Sequence, residues 1–167
     1  MVRRALLAIA VAALPAAGAD ARWCLGFEGL GQIRAGMTVE QVLPLADFSG
    51  LERREQAQGC WYLRYEGAGT DFWLMIVDNA VARVELRDKS TLRTFSGARI
   101  GMTETALKAL YGARLESQPH KYDPEGRVYV MRSRSGEDGL RFETSKGKVT
   151  AIQAGPWEHL NLVEGCS

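Results

Sequence analysis

The sequence predicts an α+β fold of two tandem units, each a short helix packed on an antiparallel sheet of three to four strands. The tripeptide Gly-Met-Thr occurs twice, at residues 36–38 and 101–103. Each copy opens a short helical pattern, and alternating segments typical of strands follow it. Because self-similarity along a chain indicates repeated structural units, we expect one unit over residues 32–90 and another over residues 95–155. The remaining chain is then an N-terminal arm at residues 22–31 and a C-terminal tail at residues 156–167.

The first 21 residues have the pattern of a secretory signal. Two arginines precede an uncharged apolar stretch over residues 5–14. That stretch is shorter than the roughly 20 residues that a membrane span requires. Two A-x-A cleavage sites are present, at residues 17–19 and 19–21. The pattern predicts a signal peptide over residues 1–21 that is cleaved, and a periplasmic or secreted protein without an integral membrane segment.

The charge of the chain excludes some classes of partner. The sequence contains 21 Lys and Arg and 20 Asp and Glu, and removal of residues 1–21 takes two basic and one acidic residue, which leaves 19 of each. Binding to nucleic acid depends on a basic field that neutralises phosphates, and docking on anionic lipid depends on a similar field. The neutral chain therefore argues against a nucleic-acid partner and against electrostatic attachment to a membrane surface.

Each Gly-Met-Thr copy is expected to begin a helix. Thr38 and Thr103 suit the N-cap, where a side-chain hydroxyl accepts a hydrogen bond from a free amide of the first turn. Pro44 limits the first helix to a few turns, and Gly112 ends the second. The residues that share one face of each helix, and so should meet a sheet, are Val39, Val42, Leu43 and Ala46 in the first and Ala106, Leu107, Leu110 and Tyr111 in the second.

Three strands are expected to follow each helix. They cover residues 60–66, 71–78 and 81–87 in the first unit and residues 127–132, 139–145 and 148–154 in the second, and short strands at residues 51–55 and 113–117 extend the two sheets. Tight turns are predicted at residues 78–80 and at Lys146-Gly147. Apolar positions that correspond between the two units are expected to form the core face, namely Phe72, Leu74, Val81 and Val84 in the first and Leu140, Phe142, Val149 and Ile152 in the second.

The middle strands of the two units differ on their opposite face. In the second unit this face carries side chains that we expect to meet solvent, namely Arg141, Glu143 and Ser145. In the first unit it is apolar, with Trp73, Met75 and Val77. A strand that is apolar on both faces is either covered on both sides or binds something. Two interpretations follow: the N-terminal arm, the tail near Trp157 or the other unit covers this face, or the face is open to a partner.

Three cysteines follow the predicted signal peptide, namely Cys24, Cys60 and Cys166. In an oxidising compartment they predict one disulfide and one free thiol, with three pairings available. We favour Cys60–Cys166, because Cys60 begins a predicted strand and Cys166 lies at the end of the tail; Cys24–Cys60 is the alternative. No C-x-x-C pair, phosphate loop or dinucleotide fingerprint occurs, so we predict no metal site and no cofactor.

Only two histidines are available as ordinary general bases, His120 and His159. A catalytic interpretation pairs His120 with Asp123 and with a hydroxyl such as that of Ser117, and would make the protein a hydrolase. The other interpretation is a proline-rich surface loop that presents His120 and Tyr122 to a partner. Since no nucleophile elbow or spaced triad occurs, we predict that the chain has no catalytic residues.

The repeated Gly-Met-Thr, each copy followed by a short helix and an antiparallel sheet, resembles the β-lactamase inhibitory protein superfamily. It is also similar to the small lipoprotein subunit of the bacterial outer-membrane barrel-assembly machinery, which has one such unit. The resemblance implies a curved sheet whose concave face binds a partner through aromatic side chains. The superfamily has one disulfide within each unit. This chain departs from that pattern, because its three cysteines cannot form two disulfides. A β-lactamase is therefore not inferred as the target.

The end of the tail, Val163-Glu164-Gly165-Cys166, together with the loop at residues 119–122, is similar to a group of uncharacterised exported bacterial proteins. That similarity supports the division into units and implies no activity.

The sequence thus favours an exported, non-enzymatic binding or inhibitor module that presents a sheet surface to a protein or cell-envelope partner. Two alternatives are an envelope-assembly scaffold factor and a small periplasmic hydrolase that uses His120. The residues predicted to contact the partner are Trp61, Tyr62, Trp73, Met75, His120 and Tyr122.

Overall fold

A computed structural model of the chain describes residues 23–45, 52–57, 59–67 and 70–166. It has an α+β fold made mostly of strands, with a few short helices and two sheets. The predicted signal peptide lies outside the described residues. None of the helices in the described part of the chain has the length and apolar character that crossing a bilayer requires.

The strands form one large and one small sheet. In chain order they are β1 (Cys24–Leu25), β2 (Gly29–Leu30), β3 (Ile33–Arg34), β4 (Glu52–Ala57), β5 (Cys60–Tyr65), β6 (Phe72–Val77), β7 (Ala80–Arg87), β8 (Arg93–Thr94), β9 (Glu116–Pro119), β10 (Gly126–Arg132), β11 (Asp138–Ser145) and β12 (Lys148–Pro156). The helices are α1 (Val39–Val42), α2 (Glu104–Tyr111) and α3 (Trp157–Leu160). The large sheet has the order β4-β5-β6-β7-β12-β11-β10-β9 and is antiparallel throughout.

The six long strands predicted from alternation are confirmed, and each observed end lies within two residues of the predicted one. Both predicted turns between strands have two successive residues with positive φ, Asp78 and Asn79 at 47° and 66°, and Lys146 and Gly147 at 49° and 74°. Positive φ at both central residues defines the type I′ turn, whose twist matches that of the strands it joins. The short strands predicted at residues 51–55 and 113–117 occur as β4 and β9, shifted towards the C-terminus.

The small sheet was not predicted. It has the order β3-β2-β1-β8, so the predicted N-terminal arm supplies two of its four strands. Leu25, Leu30 and Ile33 are fully buried in the main core. Strands of two residues are too short to produce a recognisable alternation, which is why the sequence alone did not indicate them.

The main core lies on one face of the large sheet, here called the inner face; the opposite face is the outer face. All eight predicted core positions belong to this core, and each is at most 3% exposed. Val42 from α1 and Leu107 and Tyr111 from α2 pack against them. The predicted core face is therefore confirmed.

The predicted N-caps are also confirmed. The Thr38 hydroxyl accepts a hydrogen bond from the Gln41 amide at 3.4 Å, and the Thr103 hydroxyl accepts one from the Ala106 amide at 3.2 Å. The predicted helix faces are too wide, because Leu43 is 42% exposed and Leu110 and Ala106 are also exposed. Each helix is so short that one narrow stripe reaches the core. Ala46 lies outside the described residues.

The two Gly-Met-Thr segments make the same contacts with the turn-bearing hairpins. The Gly36 amide donates to the Val81 carbonyl at 2.8 Å, and the Val81 amide donates back to the Met37 carbonyl at 2.8 Å. The glycine and methionine of the second copy exchange the same two bonds with Val149, again at 2.8 Å. These bonds place the start of each helix beside the strand that follows a type I′ turn.

A β-bulge follows each of these valines. In β7 the pairing with β6 passes from Val81 to Arg83 and leaves Ala82 as the extra residue. In β12 the pairing with β11 passes from Val149 to Ala151 and leaves Thr150 as the extra residue. A bulge changes the face on which all later side chains of the strand lie. The valines therefore remain on the inner face although they lie three residues before the next core position.

The carboxylate of Glu104 attaches α2 to the large sheet. It accepts hydrogen bonds from the Thr144 hydroxyl at 2.7 Å and from the Tyr129 hydroxyl at 2.8 Å. Partial burial raises the pKa of Glu104, but these two hydrogen bonds, together with the charges of Lys108 and Arg127, lower it by more, so that its pKa lies below the ordinary value of 4.5. The ionised side chain is consequently a stabilising link between the helix and the sheet.

Replacing Glu104 with glutamine should lower the free energy of unfolding by about 1 kcal/mol at neutral pH. Because the pKa of Glu104 is lower in the folded than in the unfolded chain, its stabilisation is complete above about pH 4.5 and is lost as the pH falls through the folded value. Urea unfolding of both proteins at pH 7 and in acid measures this, with Glu116→Gln in the exposed strand β9 as the matched control. A Glu104→Gln deficit that stayed constant with pH would contradict this origin.

Candidate functional site

The C-terminal tail crosses the outer face of the large sheet. After α3, where Leu160 is fully buried, the tail continues through residues 161–166 to Cys166. Cys166 forms a disulfide with Cys60 of β5, and their Cα atoms lie 5.2 Å apart. This is the pairing that the sequence favoured. Cys24 keeps a free, half-buried thiol.

A small apolar cluster lies between the tail and the first half of the sheet. Its buried members are Tyr62, Met75, Ala82 and Cys166, with Cys60, Trp73 and Val77 at its edges. The rings of Tyr62 and Trp73 meet edge to face, with centroids 5.8 Å apart. The outer face of β5 and β6, where Tyr62 and Met75 lie, is therefore covered by the C-terminal tail, and not by the N-terminal arm.

Beside this cluster, two arginines and a tyrosine surround one fully buried carboxylate. Glu85 accepts hydrogen bonds from Arg83 Nε at 2.6 Å and from Arg87 Nε at 2.8 Å. The Tyr62 hydroxyl donates to the same carboxylate at 3.1 Å. The bulge at Ala82 brings Arg83 to this face, since strict alternation from Val81 would place its side chain in the main core.

Arg83 also holds the tail. Its Nη1 donates to the backbone carbonyls of His159 and Leu162, both at 2.8 Å, and the residue is only 1% exposed. A buried guanidinium is stable only when its donors are used and its charge is paired. The position of the tail and the ion pair beneath it therefore depend on each other.

The ionisation of this group is set by competing effects. Burial raises the pKa of Glu85, but the charges of Arg83 and Arg87 and their hydrogen bonds lower it by more, so the net direction is down. Burial and the Glu85 charge raise the pKa of Tyr62. Near neutral pH the group therefore consists of two cations, one anion and a neutral phenol. These four side chains together therefore carry a net charge of +1.

A cavity of about 380 Å³ lies between the tail and this group. It is lined by Tyr62, Trp73, Arg83, Arg87, Val163, Glu164 and Gly165. The side chain of Arg87, which lines the cavity, is 45% exposed. The cavity thus brings together an aromatic side, a partly solvated cation and the backbone of the tail.

Steric crowding explains why a glycine occurs in Val163-Glu164-Gly165-Cys166. Gly165 has a φ of 62°, and a Cβ atom built on it would lie 2.3 Å from the Tyr62 hydroxyl oxygen. Because glycine has no Cβ atom, the tail can approach the sheet this closely just before the disulfide. The motif therefore combines a close approach with the covalent bond that fixes it.

The loop between β9 and β10 contacts Glu164, one of the residues that line the cavity. Lys121 Nζ lies 2.6 Å from the Glu164 carboxylate, and the Tyr122 hydroxyl donates to the same carboxylate. These contacts lower the pKa of Glu164, with the hydrogen bond from Lys121 as the largest cause. The loop predicted to carry partner-facing residues is thus a neighbour of the tail.

One row of neighbouring residues crosses the outer face beyond the cavity. In order it contains Arg64, Trp73, Glu85, Gln153, Arg141 and Val130. The Arg64 guanidinium carbon lies 4.9 Å from the centroid of the Trp73 ring. The row spans both halves of the sheet, and four of its members are buried, namely Glu85, Gln153, Arg141 and Val130.

The prediction that Arg141 faces solvent is wrong, because the residue is 3% exposed. Its Nη1 donates to the Gln153 side-chain oxygen at 2.9 Å and also pairs with Glu143. Cross-strand neighbours on both sides bury its stem, and paired polar groups satisfy its head. Glu143 and Ser145 do keep partial exposure.

His120 takes part in local hydrogen bonds of its loop. Its Nδ1 accepts from the amides of Tyr122 at 3.2 Å and Asp123 at 3.1 Å, and its Nε2 lies 3.7 Å from Glu143. An Nδ1 that accepts two bonds leaves the proton on Nε2. Ser117, the hydroxyl of the catalytic interpretation, accepts instead from Arg127 Nε at 2.8 Å. The structure does not bring His120 and Ser117 together as a base and a nucleophile.

The six predicted contact residues occupy different environments. Trp61 is buried in the main core, on the opposite face from Tyr62, because successive strand residues alternate. Tyr62 and Met75 are buried beneath the tail. The three that keep exposed surface are Trp73, His120 and Tyr122.

Arg83, Glu85 and Arg87 were not among the site residues predicted from the sequence. A signal was present, since these charged residues alternate with Val84 and Leu86 in a strand that is otherwise apolar. Charges inside a buried strand indicate pairing or a functional site. The described residues contain no group of three or more His, Cys, Asp or Glu side chains placed to hold a metal ion.

Comparisons with known proteins add no assignment. No model of a known protein family matches this chain, and no curated protein matches it. The functional interpretation therefore depends on the geometry of the outer face.

Proposed function

We propose that the protein is an exported, non-enzymatic binding module that holds a segment of a polypeptide partner in the cavity between its outer face and its C-terminal tail. The single observation that carries this proposal is the cavity of about 380 Å³ lined by Trp73, Tyr62 and Arg87. Ligand sites are concave and place polar groups that fix the orientation of the ligand. This cavity is lined mainly by polar groups, with the Trp73 and Tyr62 rings beside them. The disulfide that anchors the tail is compatible with an oxidising, extracytoplasmic location.

The charge of the cavity favours a carboxylate on the partner. Arg83 and Arg87 share one anion, Glu85, and Arg87 remains partly open to the cavity. On the tail side, Glu164 is already paired with Lys121. The excess positive charge therefore suits an acidic side chain or a terminal carboxylate, and the Trp73 ring beside it suits an apolar neighbour.

Two tandem units with a shared outer face form the framework of this module. Supporting observations are the matching hydrogen bonds of the two Gly-Met-Thr segments and the matching bulges at Ala82 and Thr150. The units meet where β7 pairs with β12, and this pairing makes one continuous sheet. The repeated units support a binding function. His120 accepts hydrogen bonds from its own loop and does not pair with the Ser117 hydroxyl, which supports binding in preference to catalysis.

Selection from a random peptide library tests the proposal. Peptides with an acidic residue beside an apolar one should be enriched on the protein and at least about tenfold less on an Arg87→Ala variant, since lost charge-assisted hydrogen bonds cost more than 1.4 kcal/mol. Arg93→Ala, an exposed arginine of the small sheet, is the matched control and should leave enrichment unchanged.

A Trp73→Ala variant gives a second measurement. It should weaken binding of the enriched peptides by a similar factor. Its thermal unfolding should remain cooperative, because Trp73 is only half-buried. Equal enrichment on parent, Arg87→Ala and Trp73→Ala proteins would overturn the assignment of this cavity as the binding site. A pull-down from an envelope extract with the parent protein then identifies the natural partner.

A further inference from the structure

Phe95 is the most exposed large apolar side chain of the described residues, at 75%. It follows β8 on the small sheet, which packs against the inner face, so it belongs to a different surface from the cavity beneath the tail. Large exposed aromatic side chains are enriched among the residues that dominate binding energy at interfaces. The proposed function leaves this residue without a role.

A rigid turn displays Phe95. The Thr94 amide donates to the Ala98 carbonyl at 2.9 Å, and the Ala98 amide donates to the Thr94 hydroxyl at 2.9 Å. That hydroxyl also lies 2.7 Å from the buried Tyr111 hydroxyl, and the Phe95 amide donates to the Leu25 carbonyl at 3.1 Å. Binding through a residue that is already fixed loses little conformational entropy.

A cavity of about 240 Å³ lies directly beside the exposed ring. It is lined by Gly26, Phe27, Glu28, Gly29, Arg34 and Phe95. The ring lies over Gly26, where an added Cβ would be 3.0 Å from its Cε2 atom. A second depression on the other side of Phe27 and Phe95 reaches inward to Tyr111. The patch therefore has a projecting ring and a recess to receive one.

The rim of this patch carries both signs of charge. The carboxylate of Glu28 and the guanidinium of Arg34 lie 3.9 Å apart, and their side chains are 72% and 44% exposed. In a twofold interface the same patch occurs on both partners, so each group of one copy meets a different group of the other. In such an interface the ring of one copy can enter the recess of the other, and the anion of one copy can pair with the cation of the other.

We propose that this patch is the interface of a twofold homodimer. In it the Phe95 ring of each protomer enters the recess of the other, and Glu28 of each meets the other's Arg34. The surface and its occupant are independent of the peptide-binding cavity. Failure of one proposal therefore leaves the other intact.

Sedimentation velocity over a concentration series up to the millimolar range tests the dimer. A Cys24→Ser background removes association through the free thiol. The parent should dimerise with concentration, and Phe95→Ser should raise the dissociation constant at least about tenfold. Tyr122→Ser, which removes an exposed aromatic ring from the loop beside the tail, is the matched control and should leave the constant unchanged.

Charge reversal distinguishes a twofold contact from other association. Glu28→Arg and Arg34→Glu variants should each be monomeric, because like charges face each other in their homodimers. An equimolar mixture of the two should recover a heterodimer, since one supplies only cations and the other only anions. A parent that stays monomeric throughout, a dimer that survives Phe95→Ser, or a mixture that fails to associate would each overturn the proposal.

Discussion

Replacing Glu85 with alanine should lower the free energy of unfolding by about 3–5 kcal/mol. The residue is fully buried and is the shared anion of Arg83 and Arg87. Its removal leaves the 1% exposed Arg83 guanidinium without a counter-charge, and a buried unpaired charge is among the most destabilising of single changes. Urea unfolding followed by tryptophan fluorescence at neutral pH measures the loss.

A double-mutant cycle separates the ion pair from lost packing. Arg83→Ala alone should also be strongly destabilising, because it removes the donors to His159 and Leu162 as well. The Arg83→Ala/Glu85→Ala protein should lose clearly less than the sum of the two single losses, since neither charge is then unpaired. Glu116→Ala in the exposed strand β9 is the control and should change stability by less than about 0.5 kcal/mol. Additive single losses would refute the coupling.

Removing the disulfide with Cys60→Ser and Cys166→Ser together should lower the free energy of unfolding by about 4–5 kcal/mol. The bond joins residues 106 positions apart, so it restricts the unfolded chain strongly. Domains of this size have total stabilities of about 5–15 kcal/mol, and the variant would therefore be only marginally stable. Denaturant midpoints of both proteins without reductant give the difference.

Hydrogen exchange locates the effect within the structure. Amides of residues 161–166 should exchange faster in the disulfide-free variant, while α3 should remain protected because Leu160 is fully buried. Cys24→Ser, which touches no disulfide, is the control and should unfold like the parent. A loss below about 1 kcal/mol with unchanged exchange in the tail would mean that the noncovalent anchors alone fix it.

The sequence predicted the long strands, their turns and the helix starts well, for identifiable reasons. Long strands such as β6 and β11 give a clear alternation, and turns such as Lys146-Gly147 carry residues that tolerate positive φ. Each Gly-Met-Thr copy marks a helix start through the hydroxyl of its threonine. These signals are local, so a single sequence contains them.

The outer face depends on features that alternation does not encode. One extra residue, Ala82, determines that Arg83 lies beneath the tail and not in the main core. The tail itself has no periodic pattern, and its position follows from contacts with residues distant in sequence, such as Arg83 and Cys60. The sequence indicated that the Trp73 face needed a covering or a partner. It did not indicate that the tail would leave a cavity there.

The order of the large sheet places β4 and β9 at its two ends. No strand in the described part of the chain pairs with their outer sides, and such sides invite another molecule to continue the ladder. β4 has the sequence Glu-Arg-Arg-Glu-Gln-Ala, and β9 ends in a proline that has no amide to donate. The charged sequence of β4 and the missing amide of the proline in β9 oppose growth of the sheet into cross-β fibres. Concentrated preparations should therefore remain free of amyloid-like aggregates as long as the sheet stays intact.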